Sequence, residues 1–123
     1  MNQTELAQRI NDAGSDDIPT FGGTWEGGLH IQQNPEEYCD AILWLLEQEK
    51  PFRSFLEIGS AAGGNAAFLH SIFNFENLVV IDDNAQQKHV LRAGILPSHA
   101  VEYVGNSQTD EARTWLRALG VVF

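Results

Sequence analysis

Short apolar runs alternate with helical patterns in the second half of the chain, and this alternation limits the fold more than any other feature. The apolar runs cover residues 54–58, 77–82 and 100–105, and helical patterns follow at 63–73, 85–94 and 109–120. Strands that alternate with helices of about ten residues are typical of βαβ units, which form parallel sheets. The run at 77–82 is almost wholly apolar, as in a strand covered on both faces. The sequence therefore predicts an α/β fold with helices on both faces of a parallel sheet, and a fourth strand that begins at 121–123.

A further helix is predicted before the first of these strands. Asn34 is a favourable N-cap, Pro35 suits the first helical position, and Pro51 marks the end of the pattern. This helix is expected to lie against the sheet. Trp44 in this helix and Trp115 in the last one are interpreted as packing residues.

Two less regular segments precede that helix. Residues 1–20 contain a short helical pattern, with Leu6 and Ile10 four apart, followed by polar residues, and are interpreted as a loosely attached N-terminal arm. Residues 21–33 contain four glycines and Trp25. They predict either a surface loop whose tryptophan covers the core or a flap over a ligand site.

Composition excludes several classes of partner. The 123 residues include 17 acidic and seven basic side chains, which give a formal charge of −10. Binding to a phosphate backbone rests on clustered Lys and Arg, and an anionic membrane repels an acidic surface, so neither nucleic acid nor membrane is expected as a partner. One cysteine, Cys39, permits no intramolecular disulfide, and we interpret it as a buried or half-buried thiol. The polar start and the absence of a long apolar run predict a cytoplasmic protein.

The carboxyl ends of the predicted strands carry the residues with the most chemistry. The first strand leads into Glu57–Asn65, in which residues 59–64 are all Gly, Ser or Ala. Asp82–Asn84 follow the second strand and Gly105–Ser107 the third. The carboxyl ends of parallel strands meet at one edge, where small residues let a ligand approach the backbone and carboxylates accept hydrogen bonds from ribose hydroxyls. Each element alone is also common in turns and helix caps, but together they predict a site for a nucleoside-type ligand.

The stretch "EIGSAAGG" is similar to the first motif of class I S-adenosylmethionine-dependent methyltransferases. "GGLHIQQNPEEY" and "VEYVGNSQTDEARTWLRALG" also resemble this family, so the likeness spans residues 21–123, taken as one Rossmann-like domain. Ala61 stands where the family usually has its middle glycine, and Asn106 where an aspartate is common. The resemblance implies that Asp82 binds the ribose and Asn106 the adenine. It implies a cofactor site for S-adenosylmethionine made of Glu57, Gly59, Ser60, Ala61, Gly63, Asp82, Asp83 and Asn106.

The resemblance covers only the N-terminal, cofactor-binding half of that fold, so the chain is expected to be a truncated methyltransferase fold. The groups that face the methyl acceptor belong to the other half, and no catalytic residue is identified. The four histidines have no metal-ligand or triad spacing, and no metal site is predicted. Three functions stay open: the cofactor-binding part of a methyltransferase, a small methyltransferase-like protein that binds a ligand or partner without chemistry, and a nicotinamide-dependent oxidoreductase.

Self-association is expected from the same resemblance. The family places its fourth strand beside the first, whereas here that strand is at most residues 121–123. An unpaired strand edge is a template for another chain, and two-fold pairing is the commonest arrangement of soluble oligomers. We therefore expect a homodimer with Phe123 at or near its interface.

Overall fold

A computed structural model describes residues 1–13, 24–25, 28–29, 31, 33–60, 63–83 and 95–123. Within these residues there are four helices and five strands. The helices are α1 (Gln3–Ala13), α2 (Pro35–Leu46), α3 (Gly64–Phe73) and α4 (Asp110–Ala118). The strands are β1 (Thr24–Trp25), β2 (Gly28–Leu29), β3 (Ser54–Ile58), β4 (Asn77–Asp82) and β5 (Val101–Val104).

The main sheet is parallel, and its strand order is β3-β4-β5. The central strand β4 pairs with β3 from Ser54 opposite Asn77 and with β5 from Val79 opposite Val101. Residues 78–81 are buried, so β4 is covered on both faces. The predicted α/β class and parallel sheet are confirmed, and the arrangement is compatible with a Rossmann-like fold. A separate antiparallel pair, β1 and β2, lies in the glycine-rich segment interpreted as a loop or flap.

The two faces of the sheet have different covers. Side chains alternate along a strand, so Leu78 and Val80 lie on one face and Val79 and Ile81 on the other. Leu78 and Val80 belong to the core cluster, to which α1, α2 and α3 contribute Leu6, Ile10, Tyr38, Cys39, Ile42, Ala66, Phe68 and Leu69. On the other face, Tyr103 is aligned with Ile81, and its ring contacts Trp115 of α4 with 5.1 Å between the centroids. The described helices therefore lie on both faces.

The interpretation of the chain start as a loosely attached arm is wrong for residues 3–13. Helix α1 buries Leu6 and Ile10 completely, at 0% exposure, inside the core cluster. Their spacing of four places both on one face of the helix. Residues 14–20 lie outside the described part of the chain.

Helix α2 begins as predicted and ends earlier than predicted. The Asn34 side chain accepts hydrogen bonds from the amides of Glu36 and Glu37, at 3.1 and 3.2 Å, and Pro35 occupies the first turn. The helix ends at Leu46, several residues before the proline that was expected to stop it. Cys39 is buried, as predicted, but Trp44 is 62% exposed, so its interpretation as a packing residue is wrong.

The end of the chain also differs from expectation. Residues 121–123 have no strand pairing in the structure, so the predicted start of a fourth strand is wrong. Helix α4 is capped by Thr109, whose hydroxyl accepts from the amide of Ala112 at 3.2 Å, and it is followed by Gly120 with φ of +66°. The helix predicted at residues 85–94 lies outside the described residues. Among the described helices, none is long and apolar enough to cross a membrane.

Candidate functional site

The ends of β3, β4 and β5 enclose a cleft of about 250 Å³ at the carboxyl edge of the sheet. It is lined by Ile58, Gly59, Ile81, Asp82, Asp83, Gly105, Asn106, Ser107 and Gln108. Four of the residues proposed from the sequence therefore share this strand-end cleft: Gly59, Asp82, Asp83 and Asn106. The cleft is slightly smaller than a typical small-molecule pocket, which suits part of a ligand such as its nucleoside.

The loop after β3 depends on glycine at two positions. Gly59 has φ of +83°, and its amide donates to the carbonyl of Ile81 at 2.7 Å, which ties the loop to the end of β4. Gly63 has φ of +89° at the N-cap of α3, where no side chain caps the helix. Left-handed conformations of this kind disfavour residues with a Cβ atom. The predicted site residue Ala61 lies outside the described part of the chain, and so does Asn84, the last residue of the strand end Asp82–Asn84.

Two buried oxygen atoms beside this loop have no hydrogen-bond partner among the described residues. They are Oε1 of Glu57, at the end of β3, and Oγ of Ser60, whose residue is only 4% exposed. A buried polar atom without a partner costs roughly 1–3 kcal/mol and is rare in folded proteins. Each of these two atoms could therefore form a hydrogen bond with a ligand or a water molecule.

The other oxygen of Glu57 ends a hydrogen-bond relay that sequence reasoning missed. The Tyr38 hydroxyl on α2 donates to Oδ1 of Asn65 on α3, and Nδ2 of Asn65 donates to Oε2 of Glu57. Asn65 ends the stretch Glu57–Asn65 that the sequence analysis placed at the ligand site, so its position could have indicated a role there. Tyr38 carried no such signal, because it also fits the apolar face of α2.

Burial and charge both act on the relay. Burial raises the pKa of Glu57, the hydrogen bond from Asn65 opposes this rise, and the negative charge of Asp82 adds to it. Burial also raises the pKa of Tyr38, and the charge of Glu57 raises it further. The tyrosine therefore stays protonated and serves as the donor at the outer end of the relay.

Asn106 contributes mainly to the shape of the cleft. Its Oδ1 accepts from the amide of Gln108 at 2.9 Å, and its carbonyl accepts from the hydroxyl of Thr109 at 3.0 Å. These bonds form the turn between β5 and α4. The amide of Gly105 donates to the carbonyl of Asp82 at 2.9 Å, which ties this turn to β4.

Two histidines that looked unrelated in the sequence lie side by side. The rings of His70 on α3 and His99 before β5 are 5.2 Å apart between centroids, and Nε2 of His99 lies 3.0 Å from the carbonyl of Phe75. Burial, together with the neighbouring His99, lowers the pKa of His70. Within the described residues, no three metal-ligating side chains are grouped in a way that could hold a metal ion.

The chain matches no known family model, no curated protein and no solved structure. The geometry of the strand-end cleft and of the adjoining loop is therefore the basis of the function proposed below.

Proposed function

We propose that this chain binds S-adenosylmethionine across the strand-end cleft and serves as the cofactor-binding part of a methyltransferase. The observation that carries the proposal is the pair of buried oxygens, Glu57 Oε1 and Ser60 Oγ, that have no partner among the described residues. They lie beside the loop to which the resemblance assigns the cofactor. Asp82, at the end of β4, is the proposed acceptor for the ribose hydroxyls.

Charge favours this ligand over a nicotinamide dinucleotide. Glu57, Asp82 and Asp83 place three carboxyl groups around the loop and cleft, in a chain with a formal charge of −10. A pyrophosphate brings negative charge to the turn between strand and helix, where these groups repel it. S-Adenosylmethionine has no phosphate and carries a cationic sulfonium and an ammonium group. The acidic surroundings therefore support the methyltransferase cofactor.

The first test uses the unpartnered hydroxyl. Ser60→Ala removes a buried group that has no described partner, so stability of the free protein should stay equal or rise. The same change should weaken binding of S-adenosylhomocysteine in isothermal titration, by about fivefold or more if one hydrogen bond is lost. Ser71→Ala is the control, because Ser71 is exposed near the other end of α3, where its hydroxyl donates to the carbonyl of Phe68 at 2.6 Å. Alanine is the better helix former, so this change should leave stability nearly unchanged or raise it slightly, and affinity should not change.

Asp82→Ala tests the ribose assignment. Loss of hydrogen bonds to a charged acceptor should cost about 1.5–3 kcal/mol of binding free energy. Asp40→Ala makes the same change of charge on the exposed side of α2 and should bind like the wild type. Equal affinity of Asp82→Ala and wild type would remove Asp82 from the site. Binding of NAD in preference to S-adenosylhomocysteine would favour the oxidoreductase instead.

A second copy of the chain is the proposed partner for the edge of β3. Among the described residues β3 pairs with β4 on one side only, and Ile58 at its end is 61% exposed. An exposed apolar edge favours pairing with an identical edge. Sedimentation velocity over a dilution series should show a dimer that Ile58→Lys weakens, whereas Val101→Lys, on the opposite edge strand, should not. A monomer at high micromolar concentration would contradict this pairing and the expected place of Phe123 near it.

A further inference from the structure

The hydroxyl of Tyr38 links helix α2 to the first turn of α3, next to the loop after β3. From the contacts of Tyr38, Asn65 and Glu57 we infer that Tyr38 is a positioning residue: through Asn65 it fixes the Glu57 carboxylate and leaves Oε1 available to the ligand of the proposed function. The relay joins α2, α3 and the end of β3, although Tyr38 and Asn65 are 27 positions apart in sequence. The proposed cofactor enters only the ligand measurement described below, and the relay itself is tested without it.

The polarity of the relay follows from the chemistry of its members. An ionised carboxylate only accepts, so Asn65 must direct its amide nitrogen to Oε2 of Glu57. Its carbonyl oxygen then faces Tyr38, whose hydroxyl must donate. The tyrosine thus holds the one amide orientation that stabilises ionised Glu57. A proton on Oε2 would reverse the amide and make the Tyr38 hydroxyl an acceptor.

The packing of Tyr38 does not require its hydroxyl. The ring lies in the core cluster and contacts Phe68 with 5.8 Å between centroids, and a phenylalanine ring would make the same contact. A buried hydroxyl is unfavourable unless it is hydrogen-bonded. The hydroxyl adds only the hydrogen bond to Asn65. Removing it should therefore change the ionisation of Glu57 rather than the packing of the core.

The titratable groups near Glu57 make the effect measurable. On the same side of the described sheet, Glu57 shares its surroundings with Tyr38 of α2, Asp82 at the end of β4 and Glu102 of β5, which is aligned with it across Val80. Tyr38 is neutral, and the negative charge of Asp82 disfavours a charge on Glu57. The hydrogen bond from the amide of Asn65 opposes this effect, so any loss of its orientation should make Glu57 harder to ionise.

The decisive experiment follows the carboxyl carbon of Glu57 by NMR during a pH titration of the ligand-free protein, with Glu57→Gln for assignment. Asn65→Ala should raise the midpoint by about one pH unit, because a hydrogen bond to a charged group is lost. Tyr38→Phe should raise it by a smaller amount in the wild type and by less than about 0.2 units in Asn65→Ala. Ser71→Ala on α3 should leave it unchanged. An unchanged midpoint in Tyr38→Phe, or equal shifts in both backgrounds, would overturn the inference.

If Tyr38→Phe folds poorly, a change that strengthens the Tyr38 hydroxyl as a donor tests the same relay, because it should move the Glu57 midpoint in the opposite direction. The chain has two tyrosines, so 3-fluorotyrosine incorporated into Tyr103→Phe labels position 38 alone. Fluorine makes the phenol a stronger donor, and the midpoint of Glu57 should fall relative to unlabelled Tyr103→Phe. A rise or no change would contradict the assigned direction of the relay.

A binding measurement then distinguishes the action of Tyr38 on Glu57 from the proposed binding of the cofactor. The affinity for S-adenosylhomocysteine, which carries an ammonium group, should increase with pH through the Glu57 midpoint, and this increase should move to higher pH in Tyr38→Phe. Affinity that is indifferent to this midpoint would overturn the positioning role toward the ligand. Shifted carboxyl titrations without any binding would refute the proposed cofactor and still support the action of Tyr38 on Glu57.

Discussion

Truncation of Ile10 measures how firmly α1 is held. The side chain is fully buried in the core cluster, together with Leu6 one turn earlier. Ile10→Ala removes three carbon atoms, which at about 0.8 kcal/mol per buried methylene gives roughly 2.4 kcal/mol before any cavity is counted. A cavity that does not collapse brings such substitutions into the range of about 2–5 kcal/mol. The expected fall in melting temperature is roughly 10 °C for a domain of this size.

Urea unfolding followed by circular dichroism gives the free energy directly, provided that the transition is two-state. Gln8→Ala is the matched control, since Gln8 is exposed on the same helix and makes only a surface hydrogen bond to Asp12 at 2.8 Å. It should change stability by less than about 0.5 kcal/mol. If Ile10→Ala also stays within that margin, α1 is not packed as described, and the interpretation as a loosely attached arm is restored.

Three further outcomes follow from the loop, the buried carboxyl and a helix cap. Gly59→Ala should lower the free energy of unfolding by about 1–2 kcal/mol through backbone strain alone, because the added Cβ would meet no atom within 4 Å. Gly120→Ala, at φ of +66° and equally open, should lower it by as much. An unchanged stability of Gly59→Ala would refute the left-handed turn. The pKa of the Glu57 carboxyl is raised in the folded protein, so the wild type loses stability as the pH rises above 4.5 and this group ionises. Glutamine cannot ionise, so the stability of Glu57→Gln relative to the wild type should increase from pH 4 to pH 7. A difference that does not depend on pH would contradict burial of the carboxyl. Asn34→Ala should cost about 1 kcal/mol of unfolding free energy through loss of the α2 cap, and no change in the urea midpoint would count against that cap.

The parts of the fold that the sequence predicted well are those defined by local patterns. Strands β3 and β4 lie at 54–58 and 77–82, the bounds that their apolar runs indicated. Helix α2 begins where Asn34 and Pro35 predicted, because capping depends on neighbouring residues. Its end did not follow from Pro51: residues 47–50 are polar and exposed, and the helix stops where its packing surface stops.

Tertiary contacts explain what the sequence did not reveal. Residues 1–20 were interpreted as a loosely attached arm, yet Leu6 and Ile10 of α1 are enclosed because α2 and the rest of the core cluster surround them. Trp44 fits a helical apolar pattern, but α2 carries apolar residues on more sides than the core contacts. The meeting of the strand ends in one cleft followed from the sheet topology, whereas the hydrogen bonds from Tyr38 through Asn65 to Glu57 could be found only from the packing of α2 against α3.

The buried Cys39 makes thiol labelling a probe of the local opening of α2. It follows Tyr38 directly in the helix, is 2% exposed, and is the sole thiol in the sequence. Burial, aided by the charge of Asp40, raises its pKa, so the reactive thiolate is scarce in the closed helix. The rate at which a thiol reagent labels the native protein therefore counts the local openings that expose this turn of α2. Because Tyr38 is the adjacent residue and is bonded to Asn65, a ligand that holds Glu57 in place is expected to slow this labelling.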